Sequence, residues 1–436
     1  MRRSSALTLA VAAAVSLTLP AGASAQAAQA AQAAPSAQAA PAAQAAPAAQ
    51  AASSVQAAPF APSGHPSAEL DRAALREAVA VHPGGGMAGA VAQVYTSGQR
   101  WRGASGDMVS GKRVTPGARF RIGSIAKPME AVILLQLSAE GRVNLDQTVQ
   151  HYLPGLLPET FAPVTVRQLL NHTSGLPQEF EGAPAPSQDE VLDTRLGFYT
   201  FEQVIQQTLR PEGRNRPGPR FAPGTKQEYN SLGYRIAGEL IEKLTGHSFQ
   251  HEVTTRILAP LKMKETSAPT RTAPIPGPYV PGYVPTSKGE LVDVNEQGGL
   301  PSSMTSTTAD LDRFLTALLD GRLLRPAQAA ELFALPQDKS GAPLPYADAS
   351  HCNTGPRKGS ACFSTVLMSV PLRDGSLLWG KTGSDLGYRS AAFATPDLSR
   401  RIVYGYGTAT PDGSAPIATR LIEAISTDTG TDTDTD

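Results

Sequence analysis

Arg121-Ile122-Gly123-Ser124-Ile125-Ala126-Lys127-Pro128 runs directly into an apolar, helix-periodic stretch over residues 129–137. A serine and a lysine three positions apart leave a helix on the same side, one turn from each other. Ser124 therefore has an amine within reach of its hydroxyl proton. Pro128 falls in the first turn or so, where a missing N–H costs least, and Gly141 supplies the stop. Serine is a poor nucleophile until a neighbour takes its proton. An amine does so only when neutral, which requires burial or a second cation nearby. The tetrad alone arises by chance in many chains, so its chemistry depends on partners further along.

Working outward, segment length and turn punctuation predict strands at 87–95, 100–104 and 118–122, the last leading straight into the Ser124 helix. Before them, 67–81 reads as a first helix, with Leu70, Ala74, Leu75, Ala78 and Val79 on one side and Gly84-Gly85-Gly86 after it. Helices are predicted at 164–170, 232–244, 310–319 and 327–335, and a long Pro, Gly and charge-rich segment at 177–224 is expected to wrap the site entrance. Short strands at 376–380, 388–394 and 401–406 and a last helix at 417–425 close the chain. Strands at both ends around a helical middle indicate one α+β unit, a sheet flanked by terminal helices with a mainly helical lobe inserted.

The ends carry no fold. Arg2 and Arg3 precede an apolar run over 7–19, and Ala23-Ser24-Ala25 gives a small-x-small cleavage pattern, so residues 1–25 read as a secretory signal peptide. Residues 26–63 are Gln-Ala-Ala-Pro repeats and variants that cannot bury a core, a disordered linker; 64–426 is the folding unit, and the Thr-Asp tail 427–436 is a solvated end. No other stretch approaches the roughly 20 apolar residues of a membrane span. The 38 Lys and Arg balance 38 Asp and Glu, which offers nothing to nucleic acid. Cys352 and Cys362, in an oxidising compartment and spanning Gly355 and Pro356, read as a disulfide clamping a hairpin. His172 reads as a structural hydrogen-bonder, and no metal or cofactor is expected, on the reading that the other histidines form no His-x-x-x-His pair. The protein is expected to be secreted or cell-wall associated, and monomeric.

Two downstream motifs give the tetrad its partners. Tyr229-Asn230-Ser231 follows Phe221-Ala222-Pro223-Gly224 and enters a helix, and Lys381-Thr382-Gly383 lies between strand candidates. In this order, with Leu169-Leu170-Asn171-His172-Thr173-Ser174-Gly175-Leu176 and Ala237-Gly238-Glu239-Leu240-Ile241-Glu242-Lys243-Leu244-Thr245-Gly246 between, the chain resembles the penicillin-recognising serine hydrolases. The branch is that of class C β-lactamases and secreted actinomycete D-alanyl-D-alanine carboxypeptidases. The resemblance implies a β-lactamase/transpeptidase-like fold and an acyl-enzyme on Ser124, with Lys127 and Tyr229 sharing the proton work. It further implies Lys381 and Thr382 on the substrate's carboxylate and Gly383 admitting the acyl group. Backbone N–H groups of Ser124 and Ser384 would form the oxyanion hole.

The expected activity is cleavage of peptidoglycan stem peptides, with esterase or β-lactamase action on the same site as the alternative. A non-catalytic wall-binding module is the rival of another class. One position departs from the pattern: the third residue of the tyrosine motif, usually Asn, is Ser231, and Asn230 precedes it. Either Asn230 turns inward to meet the substrate's amide, or peptides are handled less well than esters, because a hydroxyl cannot offer both an acceptor and two donors.

Overall fold

The computed structural model describes residues 70–426, apart from 97, 180, 182, 185, 212–214, 349, 354–356, 373 and 411–414. The expected signal peptide, linker and acidic tail lie outside the described residues. In chain order the principal elements are α1 (Arg72–Ala78), β1 (Met87–Thr96), β2 (Gln99–Gly106), α2 (Ala126–Ala139), α3 (Gln188–Thr194), α4 (Phe201–Leu209) and α5 (Ser231–Thr245). They continue with α6 (Thr308–Leu319), β3 (Met368–Pro371), β4 (Leu377–Asp385), β5 (Tyr388–Ala394), β6 (Arg400–Thr408) and α7 (Ile417–Ser426).

The six strands form one antiparallel sheet in the order β2-β1-β6-β5-β4-β3. β1 is built of small apolar residues and is buried along nearly its whole length, which suits an interior strand; β2, at the edge, is mostly half-exposed. β1 pairs with β6, Ala92 opposite Tyr404, so the beginning and end of the folded region meet inside the sheet. α1 and α7 pack against each other on one face, where Leu75, Trp101, Ile402 and Leu421 share a core. α6 lies against β1, β5 and β6 and joins the larger core that runs through the helical lobe.

α2 is the axis of that lobe. Every residue from Ala126 to Leu135 is buried, as expected of a helix that is apolar nearly all round. Gly141 ends it in the left-handed region at φ 74°, with Arg142 N donating to Leu137 O at 2.9 Å. Asp310, in the first turn of α6, is buried and fully used. Its Oδ2 accepts from Glu265 N and Thr266 Oγ1, each at 2.9 Å, and its Oδ1 from Arg313 Nη1 at 2.7 Å.

The antiparallel sheet, the flanking helices and the helical lobe agree with the expected fold class, with local differences. α1 is much shorter than 67–81. The strand expected at 118–122 is two residues, Phe120–Arg121, paired with Thr305–Ser306 outside the main sheet. Segment 177–224 is not wholly irregular, since it holds α3 and α4. Each opens on a capping box, Ser187 with Glu190 and Thr200 with Gln203. α4 then buries Phe201, Val204, Ile205 and Leu209, and it packs so closely on α5 that a Cβ at Gly238 would stand 2.5 Å from the Phe201 ring.

Candidate active site

Ser124 occupies a single 3-10 turn, Gly123–Ile125, between the short strand and α2. Gly123 has φ 49°, and a Cβ there would lie 2.4 Å from the Ser384 carbonyl oxygen, so the turn rests directly on β4. A Cβ on Gly383 would come 2.0 Å from the Ile122 carbonyl oxygen and 2.3 Å from Ser390 Oγ, whose hydroxyl donates to that same carbonyl at 2.9 Å. Gly383 is thus required by the packing of β4 under the serine turn. This contact stands beside the expected role of Gly383 in substrate approach. The close fit also sets the backbones of Ser124 and Ser384 side by side.

The three groups named for proton transfer converge. Lys127 Nζ donates to Ser124 Oγ at 3.1 Å, and Tyr229 Oη lies 2.8 Å from the same oxygen. Lys381 Nζ stands 4.6 Å from the centre of the Tyr229 ring and donates to Thr382 O at 3.0 Å and Thr382 Oγ1 at 3.3 Å. Burial pushes the Tyr229 phenol up, but Lys127, Lys381 and the Ser124 hydrogen bond outweigh it and hold the phenol down at about 7. Burial lowers the Lys381 ammonium, with the Tyr229 oxygen pulling the other way.

Two histidines hold the Tyr229 ring. His172 is buried with ring centres 4.7 Å apart, and burial together with Lys381 and Lys127 keeps it neutral; its Nδ1 accepts from Asn230 N at 3.2 Å. His351 stacks at 5.1 Å and is held down to about 4 by burial and by Lys381. It immediately precedes the Cys352–Cys362 disulfide, which is formed, with Cα atoms 5.5 Å apart. Nothing in the sequence around His351 marks it as a neighbour of Tyr229.

The tyrosine motif resolves as follows. Asn230 does not face the cleft. It is the N-cap of α5, with Oδ1 accepting from Gly233 N at 2.8 Å, and Nδ2 donating to Leu176 O at 3.0 Å and Pro177 O at 2.8 Å. All its polar capacity is spent on the fold. Ser231 lines the cleft instead, together with Ser124, Lys127, Tyr229 and Lys381, around a volume of about 710 Å³. Glu179 and Arg235 border the same cleft, with Glu130 behind its surface and unexposed; sequence reasoning did not single out any of the three. Arg235 Nε binds Glu179 Oε1 at 2.7 Å. One His-x-x-x-His pair also occurs away from the cleft: His247 and His251 converge with Glu252. That carboxylate is already taken by His247 at 2.7 Å and Arg256 at 2.5 Å, and the arginine's charge opposes a metal ion.

Comparison with known proteins agrees with this geometry. The Beta-lactamase family model matches residues 72–426. Esterase EstB of Burkholderia gladioli is 28% identical over 378 residues, 78% of this chain and 91% of its own. Penicillin-binding protein 4 of Amycolatopsis lactamdurans is 31% identical over 183 residues, 41% of this chain and 44% of the relative's length. Among solved structures, a D-stereospecific amidohydrolase from Streptomyces has a TM-score of 0.65 at 29% identity, covering 81% of this chain and 98% of that one. D-amino acid amidase from Ochrobactrum anthropi has a TM-score of 0.64 at 25% identity, covering 81% and 97%. With the match spanning the sheet, the lobe and every residue around Ser124, the chain belongs to the beta-lactamase family of penicillin-recognising serine hydrolases.

Proposed function

We propose that the protein is an exported D-alanyl-D-alanine carboxypeptidase that cleaves peptidoglycan stem peptides through an ester on Ser124. The observation that carries this is the position of Ser124 Oγ between Lys127 Nζ and Tyr229 Oη, with the Lys381 ammonium beside the phenol. As the hydroxyl adds to the peptide carbonyl, its proton passes to the Tyr229 oxygen, which is ready to receive it near neutral pH. The same proton then goes to the departing amine as the C–N bond breaks. Water repeats the sequence on the ester and releases the acid. The N–H groups of Ser124 and Ser384 would hold the oxyanion. Lys381 and Thr382 would receive the terminal carboxylate, a role that fits the exposed position of Thr382 at the cleft edge. One chain carries all of these groups, so a monomer suffices. Among the described residues no helix is long and apolar enough to cross a membrane.

Ser231 favours a second reading. With the only amide of the tyrosine motif turned away, the grip on a substrate's peptide group is reduced, and small D-amino acid amides or esters become the better substrates. Likeness to a D-stereospecific amidohydrolase and to an esterase supports this. Ser124→Ala is expected to abolish covalent labelling by a fluorescent penicillin in a folded protein; persistent labelling refutes the acyl-enzyme. A D-Ala-D-Ala peptide, a p-nitrophenyl ester and a D-amino acid amide compared side by side decide between the readings. Turnover of the ester or amide with an inert peptide overturns the first.

A further inference from the structure

A carboxylate that this chemistry leaves unused sits behind the catalytic lysine. Glu130 follows Lys127 by three residues on α2, so the two side chains are neighbours on one helix side, with Cβ atoms roughly 5–6 Å apart. Glu130 has no exposed surface, and neither of its carboxylate oxygens has a hydrogen-bond partner among the described residues. A buried carboxylate in that condition is unfavourable unless nearby charge compensates it. The groups facing it are Lys127 from its own helix, Tyr234 and Arg235 from α5, Glu179 from the segment before α3, and the Ser302 hydroxyl. Arg235 is already engaged by Glu179. Ser302 accepts from Arg235 at 3.4 Å and favours the Glu130 anion without a hydrogen bond of normal geometry. Lys127 forms no ion pair among the described residues, and its charge is the one left for Glu130 to offset.

We propose that Glu130 is a positioning residue that acts through Lys127, its charge offsetting that of the lysine and so setting how readily Tyr229 gives up its proton. The Tyr229 phenolate depends on Lys127 and Lys381 for its stability. A negative charge at Glu130 withdraws part of the help that Lys127 gives; a neutral Glu130 leaves it whole. Burial raises the Glu130 carboxyl to about 7, against the pull of Lys127 and Arg235. Glu130 and Tyr229 therefore titrate over the same range on either side of one lysine, and ionising either makes the other harder to ionise. The acid limb of the activity profile is consequently broad, with a slope shallower than that of one independent group.

This rests on the proposed role of Tyr229 as the base, and the experiment separates the two. Glu130→Gln keeps the shape and removes the charge. Its kcat/KM profile should move its acid limb down by about one pH unit and steepen to that of a single group. Glu130→Asp should retain the broad limb. Ultraviolet titration of the Tyr229 phenol, taken as the difference from Tyr229→Phe, should show the same downward move in Glu130→Gln. A folded Glu130→Gln protein that is labelled by fluorescent penicillin, with limb and phenol titration unmoved, overturns the role of Glu130. A wild-type protein that is not labelled overturns the acyl-enzyme reading instead.

Discussion

Asp310 and Glu130 are both carboxylates on helices that share the larger core, and both are closed off from solvent. The environment of Asp310 is complete: a backbone N–H, a hydroxyl and a guanidinium take up its two oxygens. That of Glu130 is bare, with charges nearby, the Ser302 hydroxyl facing it, and no donor at normal hydrogen-bond geometry among the described residues. The first arrangement is what burying a charge requires when the purpose is to join a loop to a helix. The second persists behind Lys127, at the cleft that holds Ser124, where an unsatisfied charge has something to act on. At these two sites satisfied burial goes with architecture and unsatisfied burial with the cleft, and the contrast can be tested by removing each group.

The largest effect is expected at the satisfied site. Asp310→Ala strands the Arg313 guanidinium, the Glu265 N–H and the Thr266 hydroxyl, and should cost about 4 kcal/mol in urea unfolding while kcat of the folded fraction stays unchanged. A loss below about 1 kcal/mol would erase the contrast. Glu130→Gln should move stability the other way. With the folded carboxyl at about 7 and the unfolded one near 4.5, the folded state keeps a proton that the unfolded state loses. Wild-type stability therefore falls as pH rises between those values. At pH 8 the substitution should gain up to about 3 kcal/mol, and at pH 4 nothing. A gain that does not depend on pH would mean that packing, not charge, separates the two sites. Asn230→Ala, another fully satisfied polar group, should lose about 2 kcal/mol by removing a helix cap and leaving two buried carbonyls without a donor. Its acylation rate should be nearly unchanged, whereas a large fall in acylation would return Asn230 to the substrate side of the cleft.

Much of the molecule is legible in the residue order, for identifiable reasons. Helix α6 declares itself through a 3.6-residue pattern, because it shows the core one face, and strand β5, buried on both faces, through its length and turn punctuation. Ser124, Lys127, Tyr229 and Lys381 are readable as a set because each stands in a recognisable motif. What is not readable depends on contacts between distant segments. Gly383 is fixed by the Ile122 carbonyl, and His351 reaches Tyr229 through a loop closed by the disulfide. Other signals were present and outvoted. Ser187 with Glu190 and Thr200 with Gln203 announce two helices inside a segment whose prolines and glycines suggest none. Asn230 directly before a helix is a favoured cap, which explains why it turns from the cleft. Glu130 is an acid inside a run otherwise fit for the core, and that mismatch with its surroundings is itself a pointer to a working residue.

The serine turn rests on β4 and β5, and β1 finds its interior neighbour only in β6, near the end of the folded region. A ribosome that has released Ser124, Lys127 and Tyr229 has therefore made the reactive side chains without the surface that aligns them. The seat of the serine turn is complete only when the last strands enter the middle of a sheet begun three hundred or so residues earlier.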